Sequence, residues 1–237
     1  MMYHDKLNKV TMRLSSIAHN EGLLVPFASF VGLAGLFIGA DRWTESNSNF
    51  LLSLDHQKYL YMANHGPLDF HIAPFCWRIL TPLIVSLLPI DSATGFAVLN
   101  FAALWLTAIV LYFTLKIMGF SARLAFVGLA FFMTLGWATL FNLEDFWLSD
   151  PLGFLFATAA IWSIYARKDV LFAVLLAIGV LAKESVIFVA PLWYTINARQ
   201  PFEPKLLHRQ LMLMIPAVVM LILLRVAISP LNGDAHY

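Results

Sequence analysis

Long apolar runs separated by short polar breaks organise this chain: Leu23–Ala40, Thr94–Met118, Leu124–Phe141, Pro151–Ala166, Val170–Ala182, Val186–Ile196 and Leu211–Ser229. A bilayer core about 30 Å thick takes roughly 20 helical residues to cross. The first, second, third and seventh runs reach that length, the fourth nearly does, and the fifth and sixth are short. The pattern predicts an all-α, polytopic transmembrane helical bundle of about seven spans. Residues 1–237 then form one membrane domain: a cytoplasmic amphipathic N-terminus (1–22), a first span, a long outer loop with interfacial helices (41–92), and six further spans over 93–229.

The N-terminal stretch is polar, with Lys6, Lys9 and Arg13, and its apolar residues Leu7, Val10, Leu14 and Ile17 recur at helical spacing. That reads as a surface helix rather than a cleavable signal. Ile79–Ile90 is also apolar but short, and Pro74, Pro82 and Pro89 disfavour a straight crossing there. It is expected to lie flat in the outer interface or to dip into it.

Charge changes the picture at the fifth and sixth runs. Together they could make one long helix with Lys183 and Glu184 near the bilayer centre. Basic residues stand on both flanks, Arg167 and Lys168 before and Arg199, Lys205 and Arg209 after. A hairpin keeps both groups on the cytoplasmic side and avoids leaving a Lys and a Glu in hydrocarbon, so a hairpin is expected. With a cytoplasmic N-terminus, the inner side then holds ten Lys/Arg against four Asp/Glu, and the outer side five against ten. The C-terminus falls on the non-cytoplasmic side, and a bacterial inner membrane is the expected location.

Composition agrees. Sixty percent of the residues are apolar and 12% charged, more apolar surface than a soluble domain of 237 residues hides. A net charge of +1 argues against a nucleic-acid partner. Cys76 is the only cysteine, so there is no intrachain disulfide, and a small buried apolar role suits it.

The candidate chemistry lies at the outer level. Asp55 and Arg78 fall in the long loop, Glu144, Asp145 and Asp150 between the third and fourth spans, Lys183 and Glu184 at the hairpin tip, and Arg225 near the outer end of the last span. Each has a plainer reading. Lys183 and Glu184 would be an ion pair closing a turn; Asp150 before Pro151 would cap a helix; Arg225 would snorkel, and Arg78 would anchor to headgroups. Asp41 and Glu45 read as interface charges. His56, His65 and His71 share the outer loop, but their spacing matches no compact metal motif. Taken together, carboxylates and cations at one face suit chemistry on a membrane-anchored phosphate, where cations neutralise a leaving group and a carboxylate deprotonates a hydroxyl.

Four segments carry a family resemblance. LDHQKYLYMANHG (54–66) resembles the Asp–Tyr–Ala segment in the first outer loop of GT-C glycosyltransferases, including the mannosyltransferases of glycosylphosphatidylinositol assembly. PFCWRILTPLI (74–84) is similar to a Pro–aromatic–Arg segment of bacterial relatives. SDPLGFLFATAAI (149–161) and LAKESVIFVAPLWY (181–194) resemble paired segments in which an Asp opens one helix and a Lys-Glu turn precedes another. The resemblance spans roughly residues 23–229 and implies transfer of a sugar from a polyprenyl-phosphate donor to an acceptor at the non-cytoplasmic face. It implies Asp55 as general base, with Asp41 the alternative, and Arg78 and Lys183 as phosphate partners. Glu184, Asp145 and Asp150 would orient the acceptor or a divalent cation. Family enzymes continue into further helices and often an outer acceptor-binding domain, whereas this chain resembles the seven-helix module alone. A non-catalytic accessory or structural subunit of a larger membrane complex is therefore the alternative expectation, with a partner membrane subunit.

Overall fold

A computed structural model describes residues 2–40 and 55–230, with side chains from residue 21 onward. Among these residues all regular structure is helical: α1 (Met2–Gly39), α2 (Asp55–His65), α3 (Leu80–Ser86), α4 (Ser92–Ile117), α5 (Ala122–Thr134), α6 (Phe141–Glu144), α7 (Asp150–Tyr165), α8 (Asp169–Ala182), α9 (Ala190–Asn197) and α10 (Pro204–Ala227). Three stretches are long and apolar enough to cross a membrane: Glu21–Gly39 of α1, α4 and α10. A fourth follows if α5 and the broken helix after it, bent by 61°, make one crossing.

Local chemistry explains most of the boundaries. Asp91 starts α4 by accepting the Thr94 amide at 2.9 Å, and Gly119, at φ +101°, turns the chain into α5. Pro151 and Pro204 occupy the first turns of α7 and α10, where a missing N–H costs nothing. The expected surface helix over 1–22 is not a separate element. Helix α1 runs continuously from Met2 to Gly39, with Pro26 accommodated inside it.

The third apolar run is divided. Leu135 takes an extended conformation after α5, and a π-helical turn, Gly136–Leu140, leads into α6. Side chains add bonds to the carbonyls around the break. Thr139 Oγ1 donates to the Phe132 carbonyl at 2.6 Å, and Asn142 Nδ2 donates to the Trp137 and Ala138 carbonyls, each at 3.1 Å.

The fifth and sixth runs form a hairpin rather than one helix. Helix α8 ends at Lys183, whose extended φ/ψ of −155°/125° turns the chain into a 3₁₀ helix, Glu184–Val189, and then α9. The returning arm lies beside the outgoing one, since Trp193 Nε1 donates to Asp169 Oδ1 at 2.9 Å and Arg167 bonds Asn197. Glycine makes the close return possible: a Cβ on Gly179 would stand 2.7 Å from Val186 Cγ1 and 2.9 Å from Phe156 Cβ.

These contacts define two ends of the bundle. Tyr112 and Lys116, late in α4, reach Glu21 at 2.8 and 3.4 Å, and Arg209, early in α10, reaches Asp169 at 2.5 Å. Asn100, early in α4, holds the segment just before α7, so α4 and α7 run in the same direction. Helix α7 therefore ends at the end of the bundle where α4 ends. Lys116, Arg123, Arg167, Lys168, Arg199, Lys205 and Arg209 gather there with Glu21, Asp169 and Glu203. The opposite end carries Asp55, Asp69, Asp91, Glu144, Asp145, Asp150 and Glu184, with Lys58, Arg78, Lys183 and Arg225.

The described part of the 41–92 loop packs over this acidic end. Tyr59, Met62, Phe75 and Cys76 form one buried cluster with Phe96, Trp147, Leu224 and Ile228. Within the loop, α3 has seven residues, about 10 Å of helix, too short to cross a bilayer.

Candidate functional site

Two ion pairs tie the loop to the helix ends. Arg78, just after the 3₁₀ turn Phe75–Trp77, makes a two-pronged contact with Glu184: Nη2 to Oε1 at 2.7 Å and Nε to Oε2 at 3.0 Å. Its third nitrogen, Nη1, donates to the Tyr59 hydroxyl at 3.4 Å, and that hydroxyl shares a 3.1 Å hydrogen bond with Ser149 Oγ. One residue beyond Ser149, Asp150 pairs with Lys183. One network thus joins α2, the loop, the start of α7 and the hairpin tip.

The electrostatics follow from partial burial. Burial alone would push Arg78 toward neutrality, but the bonds to Glu184 outweigh it and hold the guanidinium more firmly protonated than usual. Burial would likewise raise the Glu184 carboxyl, yet the Arg78 bonds hold it below its ordinary value. Tyr59 is pushed above the usual phenol range by burial, against the pull of Arg78 and Ser149.

Asp145 is the exception. Its side chain is buried at 4% exposure, and Oδ1 has no hydrogen-bond partner among the described residues. Burial, opposed by the Trp147 amide and reinforced by the charges of Asp55 and Asp150, pushes its carboxyl up to about 6. The segment after it is pinned from below, since the Asn100 amide donates to the Phe146 carbonyl and to the Leu148 carbonyl, the latter at 2.8 Å.

Several expectations are corrected. Lys183 and Glu184 do not pair with each other: the extended backbone at Lys183 sends the two side chains to different partners, Asp150 and Arg78. Asp150 does not cap α7. Ser149 holds the cap position, makes no side-chain cap bond and turns its hydroxyl to Tyr59, while Asp150 spends its carboxylate on Lys183. Arg78 binds protein instead of standing free at the interface. Arg225 stays outside the network: it is exposed, lies over the Trp77 ring at 4.5 Å and donates to its own helix at the Leu221 carbonyl. Asp55 opens α2, half-exposed, and pairs with Lys58 at 3.1 Å. Asp41 and Glu45 lie outside the described residues.

Tyr59, Ser149 and Asn100 were not expected in the site. Tyr59 stands in the quoted 54–66 segment and Ser149 beside Asp150, but a hydroxyl or an amide on an apolar stretch carries no charge signal. A divalent cation does not fit the described carboxylates: Glu184 and Asp150 are each spent on a cation, and no group of three or more His, Cys, Asp or Glu converges on one point.

Chemically, the acidic end combines a half-exposed carboxylate (Asp55), a buried one (Asp145), two cations held in pairs, and a cavity bordered by Asp150. No protein-family model, curated protein or solved structure matches the chain.

Proposed function

We propose that this is a membrane glycosyltransferase of the GT-C type, transferring a sugar from a polyprenyl-phosphate donor to an acceptor at the non-cytoplasmic face. The observation that carries the reading is the joined pair network: the four segments that resemble the family converge at one end of the bundle. Asp55 and Tyr59 come from the first segment, Arg78 from the second, Ser149 and Asp150 from the third, and Lys183 and Glu184 from the fourth.

In this reading the seven apolar runs are seven crossings. The basic end is cytoplasmic, and the acidic end faces the outer side of a bacterial inner membrane, as the excess of Lys and Arg at one end favours. Asp55, half-exposed, removes the proton from the acceptor hydroxyl. Arg78 and Lys183 take up the donor phosphate by sharing or exchanging their carboxylate partners, stabilising the negative charge that grows on the leaving phosphate. Glu184 and Asp150 keep these cations charged and positioned.

One observation favours a second reading. Arg78 and Lys183 are both satisfied by carboxylates within the chain, and such a closed network also suits a non-catalytic subunit of a membrane complex that keeps the fold. The test separates the two. Purified protein in lipid nanodiscs is given polyprenyl-phosphate sugars and membrane acceptors, with Asp55→Asn alongside. Transfer by the wild type that falls at least about a hundredfold in the folded variant supports Asp55 as base. Equal transfer by both removes Asp55 from the mechanism. No transfer by the wild type, with a stoichiometric partner copurifying from the native membrane, gives the structural reading.

A further inference from the structure

The basic end of the bundle contains one turn twice, with a different residue at its pivot. Helix α4 closes in a Schellman turn: the Gly119 amide donates to the Lys116 carbonyl at 3.0 Å and the Phe120 amide to the Leu115 carbonyl at 3.1 Å. Helix α7 closes the same way, with the Arg167 amide on the Ile164 carbonyl at 3.1 Å and the Lys168 amide on the Ser163 carbonyl at 2.9 Å. The pivot takes a positive φ, +101° at Gly119 and +60° at Arg167. Glycine adopts that conformation without strain, whereas the Cβ of an arginine crowds the following carbonyl. Among the described residues Arg167 is the one non-glycine with a positive φ. A strained arginine where glycine fits points to a task for its side chain.

That side chain lies where two basic turns meet. Arg167 donates to Asn197 Oδ1, and Asp169 accepts from both Trp193 Nε1 and Arg209 Nη2, so the α7–α8 turn abuts the α9–α10 turn. The second turn is braced from inside. The Arg199 and Gln200 amides donate to Glu203 Oε1, and the Tyr194 hydroxyl accepts the Glu203 amide and donates to the Pro201 carbonyl. Together the turns present five exposed cations, Arg167, Lys168, Arg199, Lys205 and Arg209, against two carboxylates, Asp169 and Glu203. Asp169 is engaged by Arg209, and Glu203 by the amides of its own turn. Among the described residues Arg167 meets a neutral amide and Lys168 lies 5.1 Å over the Trp162 ring, so neither charge is cancelled there. The surroundings select the anion. Val170 and Phe202, 78% and 67% exposed, flank the cations, and Trp162, Tyr165 and Tyr194 stand in the adjoining helix ends. Exposed apolar and aromatic side chains beside cations suit the level where lipid headgroups meet acyl chains. We infer that the two turns form a site for an anionic phospholipid, its phosphate held by Arg167, Lys168, Arg199 and Lys205 and its acyl chains beside Val170 and Phe202. The inference rests on the membrane reading and not on sugar transfer.

The test titrates the full chain in detergent micelles with phosphatidylglycerol, phosphatidylcholine, inorganic phosphate or a hexaglutamate peptide. Native mass spectrometry reads the affinity of the first molecule bound. Phosphatidylglycerol should bind about tenfold tighter than phosphatidylcholine, and Arg167→Gly and Arg199→Gln should each lose about fivefold of that preference. Arg123→Gln removes a charge from the same end, on α5, which packs on α4 and α1 instead of these turns, and should change little. In phosphatidylcholine nanodiscs Arg167→Gly should melt no lower than the wild type, because glycine relieves the turn. An equal loss in Arg123→Gln, or no preference for phosphatidylglycerol in the wild type, overturns the site. Inorganic phosphate that binds through Arg167 as well as phosphatidylglycerol does overturns the lipid as occupant, and hexaglutamate that does so assigns the patch to an acidic protein. A lower melting point for Arg167→Gly overturns the backbone argument, and undiminished binding by Arg199→Gln overturns the site itself.

Discussion

Asp145 shows how one buried group sets a measurable property. Its carboxyl is pushed up to about 6 by burial and by neighbouring negative charge, above the value of an unfolded chain. Ionising it therefore costs more in the folded state. The sign follows: the contribution of this carboxyl to stability is greatest below about pH 4, falls as the pH rises through 6, and levels off above. Replacing it by Asn keeps the shape and removes the charge. At pH 8, Asp145→Asn should be more stable than the wild type by at most about 3 kcal/mol, and at pH 4 the two should coincide. Thermal unfolding in nanodiscs across that range measures it. A less stable variant at pH 8 would mean that the ionised carboxylate has a partner stronger than the Trp147 amide. The sequence placed Asp145 among the candidates but held no sign of its burial, which a charged residue between two apolar runs does not announce.

At the level of elements, the hairpin of α8 and α9 decides where the acidic end finds its cations. Charge on the flanking loops was enough to expect the hairpin, and Trp193 on Asp169 bears it out. The partners of its tip were not foreseeable: Lys183 and Glu184 are adjacent, and only the extended backbone at Lys183 separates them. The closeness of the return rests on Gly179. Gly179→Ala should lower stability by about 1–3 kcal/mol, because its Cβ would press on Val186 and Phe156, neither of which can swing clear in a packed interior. Gly35→Ala is the control. Nothing lies within 4 Å of its Cβ position, and alanine favours a helix, so stability there should hold or rise. Equal losses at both sites, seen by thermal unfolding, would refute the packing argument. The break at Leu135 is the element that sequence reasoning missed. Gly136 and Thr139 stand there, but an uninterrupted apolar run outweighs such faint signals, and the bonds of Thr139 and Asn142 to nearby carbonyls form only once the turn is in place.

For the whole molecule, the separation of basic and acidic ends makes topology testable. Cysteines introduced singly at Arg199, at the basic end, and at Leu68, an exposed loop residue, should react with a membrane-impermeant maleimide from opposite sides of sealed, oriented vesicles. Arg199→Cys should be reached from the cytoplasmic side and Leu68→Cys from the outer side. Native Cys76 is fully buried and contributes little background. Labelling of both from one side would break the proposed seven crossings, since an odd number of passes separates the two positions in that reading.

Sequence by itself determined the helical class, the apolar runs, the hairpin and the two-sided sorting of charge. These are properties of neighbouring residues: apolar content and helical hydrogen bonding are local, and a flanking Lys or Arg acts on the segment beside it. Tertiary structure alone decided which charge meets which. Arg78 finds Glu184 across 106 positions of chain, and Tyr59 finds Ser149 across 90. No spacing rule encodes such distances, which come from how the loop folds over the bundle. The same holds for Asn142 and Asp150, which border one cavity only because α5 breaks where it does.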